Sequence, residues 1–227
     1  MKKQVVVIGL GRFGFSLANS LSDMGNEVLA LDTNERKIQS VSTKITHVVQ
    51  ADATDEAVLN ELGVKNFDVA VVAIGSDIQS SVLVVVLLKS IGVPYIIARA
   101  NNKSHGEILR KIGADKVVFP EDDEGNRLAH ELRLGNVSDY LPVTRRYGIV
   151  SIEAKDGFIG HTLGDLGFGP KGGESIAALL IQRGNEVLIS PSLSEGFKAG
   201  DKLIMAGSDD KLEAFLAKIA APKTEQG

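Results

Sequence analysis

Gly9, Gly11 and Gly14 stand at the spacing G-x-G-x-x-G, directly after the apolar run Val5 to Ile8. Glycines so placed let a chain turn tightly from a buried strand onto a helix, so that backbone N–H groups and the positive helix end face a phosphate. Asp32 closes the next apolar run, 18 residues beyond Gly14, where a carboxylate can accept hydrogen bonds from ribose hydroxyls. That carboxylate disfavours a 2′-phosphate, although Arg36 and Lys37 follow it on the next helix. The unusual member of the motif is Arg12, a cation inside a loop whose ordinary work is done by backbone amides. A second match to the pattern, Gly167 to Gly172, follows a polar segment and precedes a strand, so it reads as a glycine-rich loop only.

Open α/β sheets bind ligands at the carboxyl ends of their strands. Three more positions therefore qualify: Asp52, Ala53 and Thr54 after a third extended run, Ala73, Ile74 and Gly75 after a fourth, and Arg99 near the end of a fifth. Each also has an ordinary structural use, Thr54 as the N-cap of the helix that follows. Glu121, with Asp122, Asp123 and Glu124 behind it, caps a helix or offers carboxylate oxygen to a divalent cation near the phosphates. No catalytic set accompanies them. His47, His105, His130 and His161 are scattered, there is no G-x-S-x-G elbow and no P-loop lysine pattern, and His161, Asp165 and Glu174 read as surface residues. The residues describe a nucleotide binder that is not an enzyme.

The elements that must position these residues alternate. Strand-like runs VVVIG, EVLALD, THVVQAD, DVAVVAIGS, VPYIIARA and DKVVFPE are separated by helical patterns, one of them between Asn34 and Val41. Between Asp77 and Ile91 the β-branched residues favour strand, but the length favours a helix. Such alternation predicts an α/β fold with a Rossmann-like, doubly wound parallel sheet, followed by a helix EGNRLAHELRL that ends near Gly135. From about Val137 the pattern changes to short strands IVSIEA, SIAALLI, EVLIS and DKLIMAG, with a tight turn at 183–185 and a helix from residue 209. The expected organisation is a nucleotide-binding domain over 1–136, a small α+β domain over 137–220 and a flexible tail over 221–227. With 44% hydrophobic and 24% charged residues, a net charge of −4 and no cysteine, the 227-residue chain suits neither strongly electrostatic nucleic-acid binding nor disulfide or zinc chemistry. Its longest apolar helix run, Val82 to Leu88, is far shorter than the roughly 20 residues that span a bilayer. A soluble protein is expected.

VVVIGLGRFG, followed in order by VLALD, ADATDE, VVAIG, IIARA, LRKIGAD and FPEDDEG, resembles the regulator of potassium conductance (RCK) family, in particular the stand-alone cytosolic subunits of Ktr and Trk potassium uptake systems. The likeness continues into the C-terminal unit through IVSIEAKDGFIGHTLGDLGF. It implies a subunit that binds ATP or ADP, or NAD(H) in some members, and forms dimers that close into an octameric ring. Such rings dock on the cytoplasmic face of the inner membrane, on a transporter subunit that conducts K+ or K+ and Na+. The resemblance also implies phosphate contacts from Gly9, Gly11, Arg12, Phe13 and Gly14, ribose contact by Asp32 and a polar contact by Asn34. Asp52 and Ala53, with Thr54 beside them, would meet the base, and Ala73, Ile74 and Gly75 would line the cleft floor. Arg99 stands where members often carry lysine and would keep a cation near the phosphates. Glu121 would help hold Mg2+ or another divalent cation at the ATP phosphates between neighbouring subunits. Some members bind cyclic di-AMP in the C-terminal domain, but the stretch 167–173 lacks their R-A-K-Y-G-type sequence, which counts against that ligand. The run Val82 to Leu88 gains a second use as an assembly surface.

Two other classes remain for comparison. An NAD(H)-binding redox sensor or NAD-dependent oxidoreductase needs room for a nicotinamide beyond the phosphates, where Arg12 and Glu121 would make the surroundings polar and charged. A nucleic-acid-binding repressor needs a basic helix-turn-helix, which the mildly acidic, strand-rich C-terminal half does not provide.

Overall fold

The computed structural model describes residues 2–135, 137–155, 157–169 and 176–220. The expected tail and the later part of the glycine-rich loop, with Gly172 and Glu174, lie outside the described residues. In the N-terminal unit, β1 (Gln4–Ile8), β2 (Glu27–Asp32), β3 (His47–Gln50), β4 (Val69–Val72), β5 (Ile96–Arg99) and β6 (Lys116–Val118) form a parallel sheet. Their order is β3-β2-β1-β4-β5-β6, so the chain's winding reverses at β1. A crevice opens at such a switch point beyond the carboxyl ends of the strands.

Alternate residues of these strands feed two cores, as a sheet covered on both faces requires. Val6, Ile8, Leu31, Ala70 and Val72 pack on one side with Leu59 of α3 (Glu56–Glu61), Val84 and Leu88 of α4 (Ile78–Ser90) and Leu109 of α5 (Lys103–Lys111). Val5, Val7, Ala30 and Val71 pack on the other with Ala18 of α1 (Arg12–Asp23) and Val41 of α2 (Glu35–Val41). In α4 the helical spacing wins over the strand preference of its valines, because Ser81, Val84, Val85 and Leu88 fall on one buried face. Leu83 and Val86 of that helix are each 42% exposed, so its apolar character exceeds what the sheet covers.

The helix α6 (Pro120–Leu134) begins earlier than the pattern EGNRLAHELRL indicates. Proline suits a first helical position, where its missing N–H is not needed, and Glu121 therefore lies in the first turn of a helix. Compact packing divides the chain between Asp122 and Asp123, earlier than the expected 136/137 division. Later turns of α6 belong to the second unit: Leu134 enters its core, Arg133 pairs with Asp210 and Glu213, and His130 stacks on Tyr140 at 4.5 Å.

That second unit is an antiparallel sheet of β7 (Asp139–Pro142), β8 (Tyr147–Glu153), β9 (Ile176–Arg183), β10 (Glu186–Ile189) and β11 (Lys202–Ser208), in the order β10-β9-β11-β8-β7. β7 is an additional strand without a sequence signal. The expected tight turn joins β9 to β10 through Gly184, whose φ of +57° fits the first position of a II′ hairpin turn. Phe215 and Leu216 of α7 (Asp209–Ala220) close the core over Val150, Ile152, Leu203 and Met205. Among the described residues, no helix is long and apolar enough to cross a membrane.

Candidate functional site

The loop from β1 into α1 is built by the first three glycines in three different ways. Gly9 has φ +96°, a conformation that a side chain opposes, and lies against the backbone of Ala73 and Ile74. Gly11 is the N-cap of α1 and brings no side-chain oxygen, so the first-turn amides of the helix remain open. Gly14 is a packing residue: a Cβ there would stand 1.9 Å from the Gly9 carbonyl oxygen. It holds the helix against the loop and is not among the residues that line the cleft, unlike Gly9, Gly11, Arg12 and Phe13.

The cleft has a volume of about 380 Å³, within the range of small-molecule sites. It brings together Asp32, Asp52, Ala53, Thr54, Ala73, Ile74, Gly75, Arg99 and Glu121 from the ends of β2, β3, β4 and β5 and the start of α6. Ile8, Leu31, Ala53, Ile74 and Val84 give it apolar walls, while charged groups collect around them.

Asp32 is 8% exposed and fully engaged in the loop's architecture. Its Oδ2 accepts from Leu10 N at 2.7 Å and from Lys37 Nζ at 2.8 Å, and its Oδ1 accepts from Asn34 N at 2.9 Å. Burial, the largest single influence, opposes ionisation, but the hydrogen bonds from Lys37, Asn34 and Leu10 together outweigh it and hold the carboxyl below its usual range. Asn34, for which a ligand contact is implied, caps α2 instead: its Oδ1 accepts from Arg36 N and Lys37 N, and it is absent from the cleft lining.

Thr54 has another task than the N-cap expected of it. Asp55 caps α3 by accepting from Ala57 N, while the Thr54 hydroxyl and N–H both donate to Asp52 Oδ1, at 2.7 and 2.9 Å. These bonds, the hydroxyl's foremost, keep the Asp52 carboxyl ionised below its usual range and fix its direction at the cleft edge. Asp77 caps α4 through Ser80 in the same manner.

Arg99 runs over Gly75, where a Cβ would meet its Nη1 at 1.3 Å, and donates from Nη2 to Glu121 Oε1 at 2.6 Å. That hydrogen bond lowers the pKa of Glu121, and the charges of Arg99 and Arg12 contribute in the same direction. Arg12, the first residue of α1, is exposed and makes no ion pair among the described residues. Cations therefore flank the open end of the cleft, one tied to a carboxylate and one uncommitted.

Lys37 and Asn101 join the site without a motif to announce them. Lys37 is visible in sequence only as a basic residue near Asp32, whereas its bond depends on the reach of a long side chain. Asn101 donates from Nδ2 to the Gly75 carbonyl and from N to His105 Nδ1, stiffening the floor beneath Arg99. The second unit carries its own cavity of about 260 Å³, lined by Leu163, Phe168, Ile176, Pro191 and Leu193 among others. Of the stretch 167–173 that bears on cyclic di-AMP, residues 170–173 lie outside the described residues.

Residues 5–120 match the TrkA-N domain family and residues 148–220 match the TrkA-C domain family. The chain is 43% identical over 223 residues to the Ktr system potassium uptake protein C of Bacillus subtilis, covering 98% of this chain and 100% of that protein. It is 38% identical over 213 residues to the Ktr system potassium uptake protein A of the same organism, covering 94% and 95% respectively. Its fold is similar to the GsuK channel bound to NAD, with a TM-score of 0.64 at 19% identity, over 99% of this chain but only 41% of that one.

Proposed function

The chain belongs to the family of TrkA-N and TrkA-C domain proteins that includes the Ktr potassium uptake proteins, and from that premise we propose that it is a regulatory subunit that senses ATP against ADP. Its relatives are named for potassium uptake rather than for a reaction, which agrees with the lack of a catalytic set in the sequence. In this reading a ring of dimers, octameric as the resemblance implies, sits at the cytoplasmic face of the membrane. It gates a Ktr or Trk-type transporter of K+, or of K+ and Na+. The exposed Leu83 and Val86 on α4 support such self-assembly, because their partner is not found within the unit. Nucleic acid has no part in this function.

The observation that carries the proposal is the position of Arg12. At the first residue of α1 it lines the cleft together with Glu121, has no ion-pair partner among the described residues, and adds its charge to those that lower the pKa of Glu121. Gly9, Gly11 and the open first-turn amides suit a pyrophosphate. In this reading Arg12 extends that cradle by one full positive charge and would meet a third phosphate. Asp32 would receive the ribose, Asp52 and Ala53 would meet the base, and Ile74 would line the floor of the cleft.

A divalent cation such as Mg2+ fits this corner only with the nucleotide. Among the described residues, no group of three or more His, Asp or Glu side chains is arranged to hold a metal ion. Glu121 offers one exposed carboxylate, and small hard cations are commonly held by one or two carboxylates together with phosphates. The cation would supply charge neutralisation between phosphate oxygens and Glu121.

A ligand shifts a two-state assembly only by its difference in affinity for the two states. An arginine that meets a γ-phosphate in ATP and no phosphate in ADP supplies such a difference. Calorimetry with Arg12→Ala is the test. A hydrogen-bonded contact to a charged group is worth about 1.5–3 kcal/mol, so preference for ATP over ADP should fall by about tenfold or more, with ADP affinity nearly intact. Equal losses for both nucleotides would refute the assignment.

A further inference from the structure

The ribose corner already has an occupant. Asp32 Oδ2 accepts from Leu10 N and Lys37 Nζ, and Oδ1 accepts from Asn34 N. A carboxylate oxygen has about two acceptor directions. Oδ2 is thus filled and Oδ1 has one direction left, whereas a ribose diol presents two hydroxyl donors. Leu10 N and Asn34 N are fixed by the backbone of the phosphate loop and by the start of α2. Lys37 Nζ is the partner that can leave: its side chain is 45% exposed, against 7% for that of Asp32, so the ammonium can swing into water while the carboxylate stays.

We propose that Lys37 is a specificity-determining residue that competes with ribose for Asp32, and that a nucleotide makes its second hydroxyl bond to Asp32 only by displacing it. This rests on the reading of the cleft as an adenosine-nucleotide site. The ammonium compensates a nearly buried carboxylate, where an unpaired charge would be costly. Every ribose that binds must first break that pair, so Lys37 reduces the premium the protein places on ribose hydroxyls. Lys37 also lines the cleft, so the exchange takes place within the site itself.

The test compares affinities for ADP and 2′,3′-dideoxy-ADP in the full-length wild type, Lys37→Met and Lys37→Arg. The lysine end of the pair is open to solvent, which keeps its worth modest, so the affinity ratio of ADP to its dideoxy analogue should rise about threefold to fivefold in Lys37→Met. Lys37→Arg, which keeps the pairing, should retain the wild-type ratio, and Lys37→Gln serves if the methionine variant does not fold. A merely structural role for Lys37 would weaken both ligands alike and leave the ratio unmoved. An unchanged or lower ratio in Lys37→Met, with wild-type binding intact, overturns this inference alone. A wild type that binds none of ATP, ADP and NAD overturns the nucleotide reading and this inference with it.

Discussion

Gly75→Ala should separate binding from stability. A Cβ at Gly75 would lie 1.3 Å from Arg99 Nη1 and 2.6 Å from Cζ, and its nearest contacts are all atoms of that one side chain. Gly75 is not among the glycines with positive φ, so alanine is acceptable to the backbone. Restoring ordinary contact at about 3.5 Å requires the guanidinium to retreat by roughly 2 Å, which takes it off Glu121 Oε1. Glu121 is 64% exposed on its side chain, so the lost pair is screened and worth about 0–1 kcal/mol. Alanine returns about 0.4–1 kcal/mol by restricting the unfolded chain. The two nearly cancel, and urea unfolding should change by less than about 1 kcal/mol. Binding should respond much more, because a charged contact to phosphate is worth about 1.5–3 kcal/mol, or tenfold to a hundredfold in ATP affinity. Calorimetry and urea titration on the same preparation decide it. ATP affinity unchanged within about twofold would remove Arg99 from the phosphate site, and a stability loss above about 2 kcal/mol would refute the claim that only a flexible side chain must move.

Gly14→Ala should cost stability as well as binding, since its Cβ would meet the Gly9 carbonyl oxygen at 1.9 Å and Ala73 Cβ at 3.0 Å, neither of which is a flexible end. Overpacking of about 1–3 kcal/mol should outweigh a helix-propensity gain of about 1 kcal/mol, lowering the melting temperature together with nucleotide affinity; an unchanged melting temperature would contradict this. His105 is 2% exposed with Nε2 unpartnered, and burial, followed by the charge of Arg99, holds its pKa below the ordinary 6.5. The unfolded chain therefore binds the proton first, so stability is full above about pH 6.5 and declines as pH falls through that value. His105→Gln should flatten this decline in urea midpoints measured between about pH 8 and about pH 5.5, and an unaltered pH dependence would place its origin elsewhere.

Some parts of this site are written in residue type and spacing, and others in side-chain reach. The glycine loop and Asp32 were legible because each depends on backbone geometry at fixed distances from a strand end. The α4 helix was legible from length, although its valines prefer strands, because burial of one face at helical spacing outweighs local propensity. Thr54 and Asp55 are both good caps, and the choice between them was made by Asp52, which takes the threonine's hydroxyl. β7 was hidden because Asp139–Pro142 is a short strand at the sheet edge ending in proline, with little alternation to reveal it. Asn34 turns to the first amides of α2 as its cap, and Lys37 reaches back to Asp32. Both depend on side-chain rotamers that spacing does not specify.

The most direct test of the central claim is native mass spectrometry of the intact protein as purified, which weighs the assembly and identifies the nucleotide it carries. ATP or ADP bound to a multiple of dimers is the predicted result. An assembly carrying NADH, with no adenine di- or triphosphate, would contradict it.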